Sequence, residues 1–263
     1  MCGRQSKSSK PAGSASRRVG IARLMSKRGL CSRREAAAMV RAGRVRVNGQ
    51  RIVDPEHPCD ERADRVQVDG EATAATRPVY LMLNKPRGLI CSASDERGRD
   101  TVYRCLEGAL LDQQPLPWVA PVGRLDKASE GLLLFSNDPE WAARITSPSS
   151  GPDKTYHVQI DRVADDALIE ALQAGVDDAG EQLAAKAVAR LRAGQRNSWL
   201  QITLDEGRNR QIRRLLAANG VAVKRLIRVA VGDLPLGQLA KGAWRALDDV
   251  EVQALSRHRR FSR

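Results

Sequence analysis

The spacing of apolar positions changes several times along the chain, and the changes divide it. Ile21, Leu24 and Met25 recur at helical spacing, with Gly29 placed to end that helix. Ser32 followed three residues later by Glu35 forms a capping box that starts a second helix. Ala36, Met39 and Val40 make its apolar side, and Gly43 stops it. RVRVNGQRI then alternates apolar and basic residues about Asn48-Gly49, the dipeptide of a two-residue hairpin. A further short strand from Arg65 to Val68 runs into a Gly/Ala/Thr stretch at about 70–77 that reads as a linker.

Beyond residue 78, strand-like and helix-like segments alternate. VYLMLNKPRG reads as a buried strand leading to a turn at Lys85-Pro86, and GLLLF as a second strand. In KTYHVQI the alternation puts Thr155, His157 and Gln159 on one face and Tyr156, Val158 and Ile160 on the other. Asp165 to Ala174 has helical periodicity, SWLQITL is another strand, and EGRNRQIRRLLAANG runs from a turn into a helix closed by Gly220. This order does not repeat as βαβ units would. The predicted class is α+β, a small helix-helix-hairpin domain over 18–72 followed by a larger domain over 78–255 with a mixed, mostly antiparallel sheet. Residues 1–17, rich in Ser, Gly, Pro and Lys, read as a disordered basic arm, and 256–263 as a basic tail.

Charge sharpens this division. Residues 1–53 hold 14 Lys and Arg against a single acid, Glu35, whereas residues 54–263 hold 30 of each sign. The net charge of +13 therefore sits in the first fifth of the chain, which points to a polyanion, nucleic acid first, docked through the N-terminal domain. A membrane surface would ask for an amphipathic helix with bulky apolar anchors, and no apolar run approaches the ~20 residues of a span. The first residues lack the apolar core of a secretory signal; their acid-free, Arg/Ser-rich character fits an organelle transit peptide as well as a disordered arm. Five scattered cysteines without a CxxC and three dispersed histidines argue against a disulfide framework and leave little for zinc or another metal, so a cytoplasmic protein is expected.

Three local patterns carry chemistry. In GRLDKASEGLLLF, Asp126 follows an arginine by two residues and precedes an apolar run; alone, such an acid is a turn or cap residue. Tyr156 in KTYHV, alone, is a core aromatic. EGRNRQIRR opens a stretch from Gly207 to Arg228 with seven basic residues and no acid, which alone would be a solvated face. Arg213, however, lies at the border of the side marked by Ile212, Leu215 and Leu216, where a guanidinium needs an acid or a phosphate.

In order and spacing, these patterns resemble the RsuA-like branch of bacterial pseudouridine synthases that modify ribosomal RNA. NKPRG at 84–88 and the closing RLIRVAVGDLPLGQLAKGAWRAL at 225–247 belong to the same set, and the resemblance spans about residues 19–250. The N-terminal segment is similar to the alpha-L RNA-binding module of a small-subunit ribosomal protein and of tyrosyl-tRNA synthetases. The resemblance implies that Asp126 is the catalytic aspartate, Tyr156 the tyrosine stacked on the target base, Arg213 the basic residue paired with the aspartate, and Leu226 a wall of the uracil pocket. Lys27, Arg28, Arg33 and Arg34 fall where the module grips phosphate. Lys85, Arg87, Arg124, Arg208 and Arg210 are further candidate RNA contacts, with a pairing to Asp138 as the other reading of Arg124. A monomer acting on ribosomal RNA or a ribosome-assembly intermediate is implied, large-subunit RNA being favoured over small-subunit RNA, with no cofactor and no metal. Such an enzyme flips the uridine out, breaks N1–C1′, turns the uracil and joins C5 to C1′. The carboxylate either attacks C1′ or takes the 2′ proton. A non-catalytic RNA-binding assembly factor is the rival reading.

Overall fold

The computed structural model describes residues 18–73, 77–93 and 98–257 of the 263-residue chain; the basic arm, the tail beyond Arg257 and the middle of the linker lie outside them. The chain falls into two compact units that divide between Ala75 and Thr76.

The first unit runs β1 (Arg18–Gly20), α1 (Ile21–Lys27), α2 (Arg33–Arg41), β2 (Val45–Val47), β3 (Gln50–Ile52), β4 (Pro58–Asp60), β5 (Val66–Val68) and β6 (Glu71–Ala72). The capping box forms: Ser32 Oγ accepts the Glu35 N–H at 3.2 Å, and a Glu35 carboxylate oxygen accepts the Ser32 N–H at 2.9 Å. Asn48 and Gly49 take φ of 50° and 85°, the left-handed pair a two-residue turn between β2 and β3 demands. Ile21, Leu24, Met25, Ala36 and Val40 pack with Val45 and Val66 into one core.

Three expectations about this unit are corrected. The stretch from residue 70 is not yet linker, because Glu71 and Ala72 pair with β5 and extend its sheet. Arg28 is buried, with Nη2 donating to the carbonyls of Glu61 and Asp64 at 3.2 and 3.0 Å, so it staples the 61–64 turn rather than facing solvent. Lys27 Nζ lies 2.7 Å from the Glu61 carboxylate, a neighbour 34 residues away that local sequence does not reveal. Arg33 and Arg34 stand exposed on the first turn of α2.

The second unit begins with β7 (Tyr80–Lys85), a 3-10 turn at Val102–Leu106, the small pair β8 (Leu110–Leu111) and β9 (Gln114–Pro115), β10 (Ala120–Val122), β11 (Glu130–Ser136) and α3 (Pro139–Thr146). It continues through β12 (Lys154–Ile160), α4 (Asp166–Ala174), β13 (Val176–Asp178), β14 (Glu181–Leu183), β15 (Ala187–Ala193), β16 (Ser198–Leu204) and α5 (Gln211–Ala218). It closes with β17 (Val223–Val231), β18 (Leu234–Pro235), β19 (Trp244–Ala246) and α6 (Asp249–Ser256). Among the described residues nine strands share one sheet in the order β15-β16-β12-β17-β11-β7-β19, with β10 on β11 and β18 on β17. Every pairing in it is antiparallel except β11–β17, which is parallel.

The two ends of the sheet are covered on opposite faces. Val158, Ile160, Leu200 and Ile202 pack under Leu168 and Leu172 of α4 and Ile212, Leu215 and Leu216 of α5. On the other face, Met82, Leu132 and Leu134 meet Trp141 and Ile145 of α3 and Leu255 of α6. The parallel seam is what positions the site: it sets Glu130 beside Ile227 and Gly131 beside Arg228. The loop that leads into β11 thereby comes to lie along the first half of β17.

Candidate active site

Asp126 occupies that loop, and the main chain around it is fixed from several sides. Cys91 Sγ accepts the Leu125 N–H and donates to the Leu125 carbonyl, both at 3.3 Å. Lys85 Nζ donates to the carbonyls of Asp126 at 3.2 Å and Ser129 at 2.8 Å, and to that of Pro86 at 3.1 Å. The Gly88 N–H donates to the Lys127 carbonyl at 2.8 Å, and Arg213 Nη2 to the Ala128 carbonyl at 3.4 Å. The carbonyls of residues 126 to 129 are all engaged, three of them by the NKPRG segment. A carboxylate on such a support needs little reorganisation to act.

Lys85 is therefore corrected from an RNA contact to an internal support. It is the last residue of β7, fully buried, and the turn falls at Arg87-Gly88 rather than at Lys85-Pro86. A buried ammonium is tolerated because three carbonyl oxygens take its protons, and burial pulls its pKa down. Lys85→Met keeps the chain length and removes the donors. We expect a loss of about 2–3 kcal/mol in stability and about a hundredfold fall in kcat as the loop shifts, with RNA affinity held, read by urea unfolding and single-turnover assays.

The partner of the Asp126 carboxylate also differs from expectation. Arg210 Nη1 lies 3.6 Å from Asp126 Oδ2, whose side chain is 25% exposed. Arg210 is the residue before α5 and adopts φ 50°, a left-handed conformation few non-glycine residues take. Arg213 was expected in that role. It sits one turn into the helix instead, and its guanidinium donates to the Val223 and Ala128 carbonyls at 3.4 Å each. Burial first, then the charge of Arg210, lowers the Arg213 pKa, while Asp126 acts in the opposite sense. Arg213 thus ties the loop to β17, and Arg210 is the cation paired with the acid.

Asp126, Tyr156, Arg213 and Leu226 line one cleft of about 620 Å³. Tyr156, on β12, has no hydrogen-bond partner for its hydroxyl among the described residues, and Leu226 stands beside it on β17 opposite Val158. Arg124, Arg208 and Arg210 share the lining, while Arg87 is exposed on the neighbouring turn. Arg208 is braced by Glu206 at 2.7 Å, and Glu206 in turn holds Gln211. The alternative pairing of Arg124 with Asp138 does not occur, because Asp138 caps α3 and accepts the Tyr80 hydroxyl at 3.0 Å.

Three residues of this region escaped the sequence reading. Arg228 and Lys154 line the cleft from strands, where a basic residue in an alternating pattern looks solvent-facing. Arg228 is buried and donates from Nε to the Leu132 carbonyl at 2.7 Å; burial and Arg228 together lower the Lys154 pKa. Glu130 is the third, 4% exposed, with both oxygens on Arg225 at 2.8 and 3.1 Å and Lys241 at 2.7 Å. It links the Asp126 loop to the residue before Leu226. The one legible signal was an acid abutting an apolar run in a chain whose later strand reads RLIR.

The hydrogen-bonded Arg225, joined by Lys241, holds the Glu130 pKa down from 4.5 to about 2. A depressed carboxyl stabilises the fold above its unfolded pKa and loses that contribution as pH falls through the folded value. Glu130→Gln is therefore expected to cost up to about 3 kcal/mol at pH 7. The gap to the wild type should close between pH 4.5 and about 2, read by unfolding midpoints across that window.

The family model for RNA pseudouridylate synthase matches residues 79–218, and that for the S4 domain matches 19–66. An uncharacterised RNA pseudouridine synthase of Aquifex aeolicus is 34% identical over 237 residues, covering 90% of this chain and 93% of its own. The ribosomal large subunit pseudouridine synthase B of Escherichia coli K12 is 35% identical over 241 residues, covering 89% and 81%. A crystal structure of a pseudouridylate synthase superposes with a TM-score of 0.60 at 28% identity, covering 90% of this chain and 99% of that one. The synthase family model covers more than half of the sequence and these relatives nearly all of it, and the chain belongs to the RNA pseudouridylate synthase family.

Proposed function

We propose that the chain converts one uridine of large-subunit ribosomal RNA to pseudouridine, acting in the cytoplasm as a monomer on the RNA or on a ribosome-assembly intermediate. The observation that carries this reading is the Asp126 carboxylate, carried on a loop whose carbonyls from 126 to 129 are all hydrogen-bonded, in a cleft it shares with Tyr156 and Leu226. The large-subunit target is supported by the 35% identity to the Escherichia coli enzyme named for that subunit. The scaffold reading, in which the chain only binds RNA, has no reason to support a single acid so thoroughly.

In this proposal the flipped uracil lies against the Tyr156 ring, a stacking contact of roughly 1–3 kcal/mol, with Leu226 as its apolar wall. The Asp126 anion then stands beneath the ribose. It adds to C1′ or removes the 2′ proton; in either route N1–C1′ breaks, C5–C1′ forms, and the proton lost from C5 is balanced by one gained at N1. Arg210 places a cation 3.6 Å from the Asp126 carboxylate. Lys85 and Arg213 position the loop. Arg87, Arg124 and Arg208 hold phosphates beside the target, while Arg33 and Arg34 of the S4 unit anchor a separate stretch of RNA.

The test is to delete the gene and map pseudouridines across both ribosomal RNAs by chemical adduct and primer extension. One lost site in large-subunit RNA is expected. Loss in small-subunit RNA would correct the target, and no lost site would overturn the reading.

A further inference from the structure

The sheet face opposite Tyr156 carries a feature the catalytic cleft does not use. Over β16 and β12 that face is made of Thr155, His157, Gln159, Trp199, Gln201 and Thr203, none of them buried. The helices α4 and α5 pack on the other side. Across four adjacent strands, the pairing sets Arg192 beside Trp199, Trp199 beside Gln159, and Gln159 beside Arg225. At ~4.8 Å between strands, this row is about 14 Å long.

The chemistry of the row is specific. The Arg192 guanidinium lies 5.2 Å from the Trp199 ring centroid and that of Arg225 lies 6.0 Å away. The two cations differ in how they are held. Arg225 is locked by the bidentate pair with Glu130. Arg192 is exposed and has no carboxylate partner among the described residues. The solvated face of an antiparallel sheet is ordinarily polar. A tryptophan in mid-face between two guanidiniums, with an unneutralised one at its edge, is instead the combination that stacks a base and binds its phosphate.

We propose that this row is a second RNA-contact surface, which takes an unpaired stretch of the substrate RNA on the side of the sheet away from the cleft. A base stacks on Trp199, Arg192 turns from the ring to the adjoining phosphate, and the Gln159 amide faces the base edge. Charge favours RNA as the occupant, since Glu130, the acid paired with Arg225 at the end of the row, is already taken by Arg225 and Lys241 while Arg192 has no ion pair among the described residues. The inference rests on the family's action on RNA and reaches beyond the catalytic site.

The test uses the full chain, an unmodified large-subunit ribosomal RNA transcript and a fluorescein-labelled oligouridylate. Trp199→Ala should raise the Kd for the oligouridylate about tenfold, and Trp199→Phe should recover most of it. Arg192→Ala, at an exposed position, should flatten the salt slope by about 0.7. Both should raise KM for the transcript with kcat unchanged, and ultraviolet cross-linking should label the peptide containing Trp199. Wild-type affinity and salt slope in both variants, no cross-link there, or a fall in kcat at constant KM would each overturn the proposal. Wild-type turnover on the same transcript is measured in parallel, so an inactive enzyme would count against the proposed substrate and not against this surface.

Discussion

Asp126→Asn is expected to lower turnover by about a thousandfold or more while leaving RNA affinity within about twofold, because an uncharged amide neither adds to C1′ nor accepts the 2′ proton. The fold should hardly notice. Every hydrogen bond that positions the loop goes to main-chain atoms of residues 125–129, and none uses the Asp126 carboxylate. The ion pair lost is the 3.6 Å contact with Arg210, half exposed and worth less than about 1 kcal/mol. In the proposed reading RNA grip resides elsewhere, in the exposed arginines of α2 and in the cations around the cleft. Single-turnover conversion and filter binding on the same transcript separate the two effects. Activity retained at a sizeable fraction would remove Asp126 from the chemistry.

What the sequence disclosed and what it hid follow from the range of the interactions. The capping box at Ser32, the hairpin at Asn48-Gly49, and the alternation that sets Tyr156 and Val158 on one face are decided within a few residues, so they were legible. The resemblance supplied Asp126, Tyr156 and Leu226 as members of one site, and they do share a cleft. The errors concern cations whose partners are distant. Lys85 answers to carbonyls 41 and 44 residues away, and Arg28 to carbonyls 33 and 36 residues away. Charge alone made both look like surface groups. The exchange of Arg210 for Arg213 beside the acid has a more local cause. A non-glycine residue at positive φ before a helix points its side chain where no helical period predicts.

The same seam that creates the cleft gives the largest expected structural effect, at Gly131. Its φ is 100°, and a β-carbon there would collide with the Arg228 carbonyl oxygen and lie 2.8 Å from the Arg228 nitrogen. These are backbone atoms of β17, so no side-chain rotation relieves the contact. The strands β11 and β17 would have to part at the one place where they are parallel, between the Asp126 loop and the strand bearing Leu226 and Arg228. Conformational strain of about 1 kcal/mol or more combines with overpacking of about 1–3 kcal/mol. Gly131→Ala is therefore expected to destabilise the synthase unit by about 3–4 kcal/mol and to abolish turnover. Gly180 supplies the control, since its φ of 82° carries the same penalty but nothing lies within 4 Å of an added β-carbon. Gly180→Ala should cost only about 1 kcal/mol and leave activity intact. Urea unfolding of the two variants separates strain from clash: equal losses would mean that the seam yields, and that close approach of β11 to β17 is not what holds the carboxylate against the pocket wall.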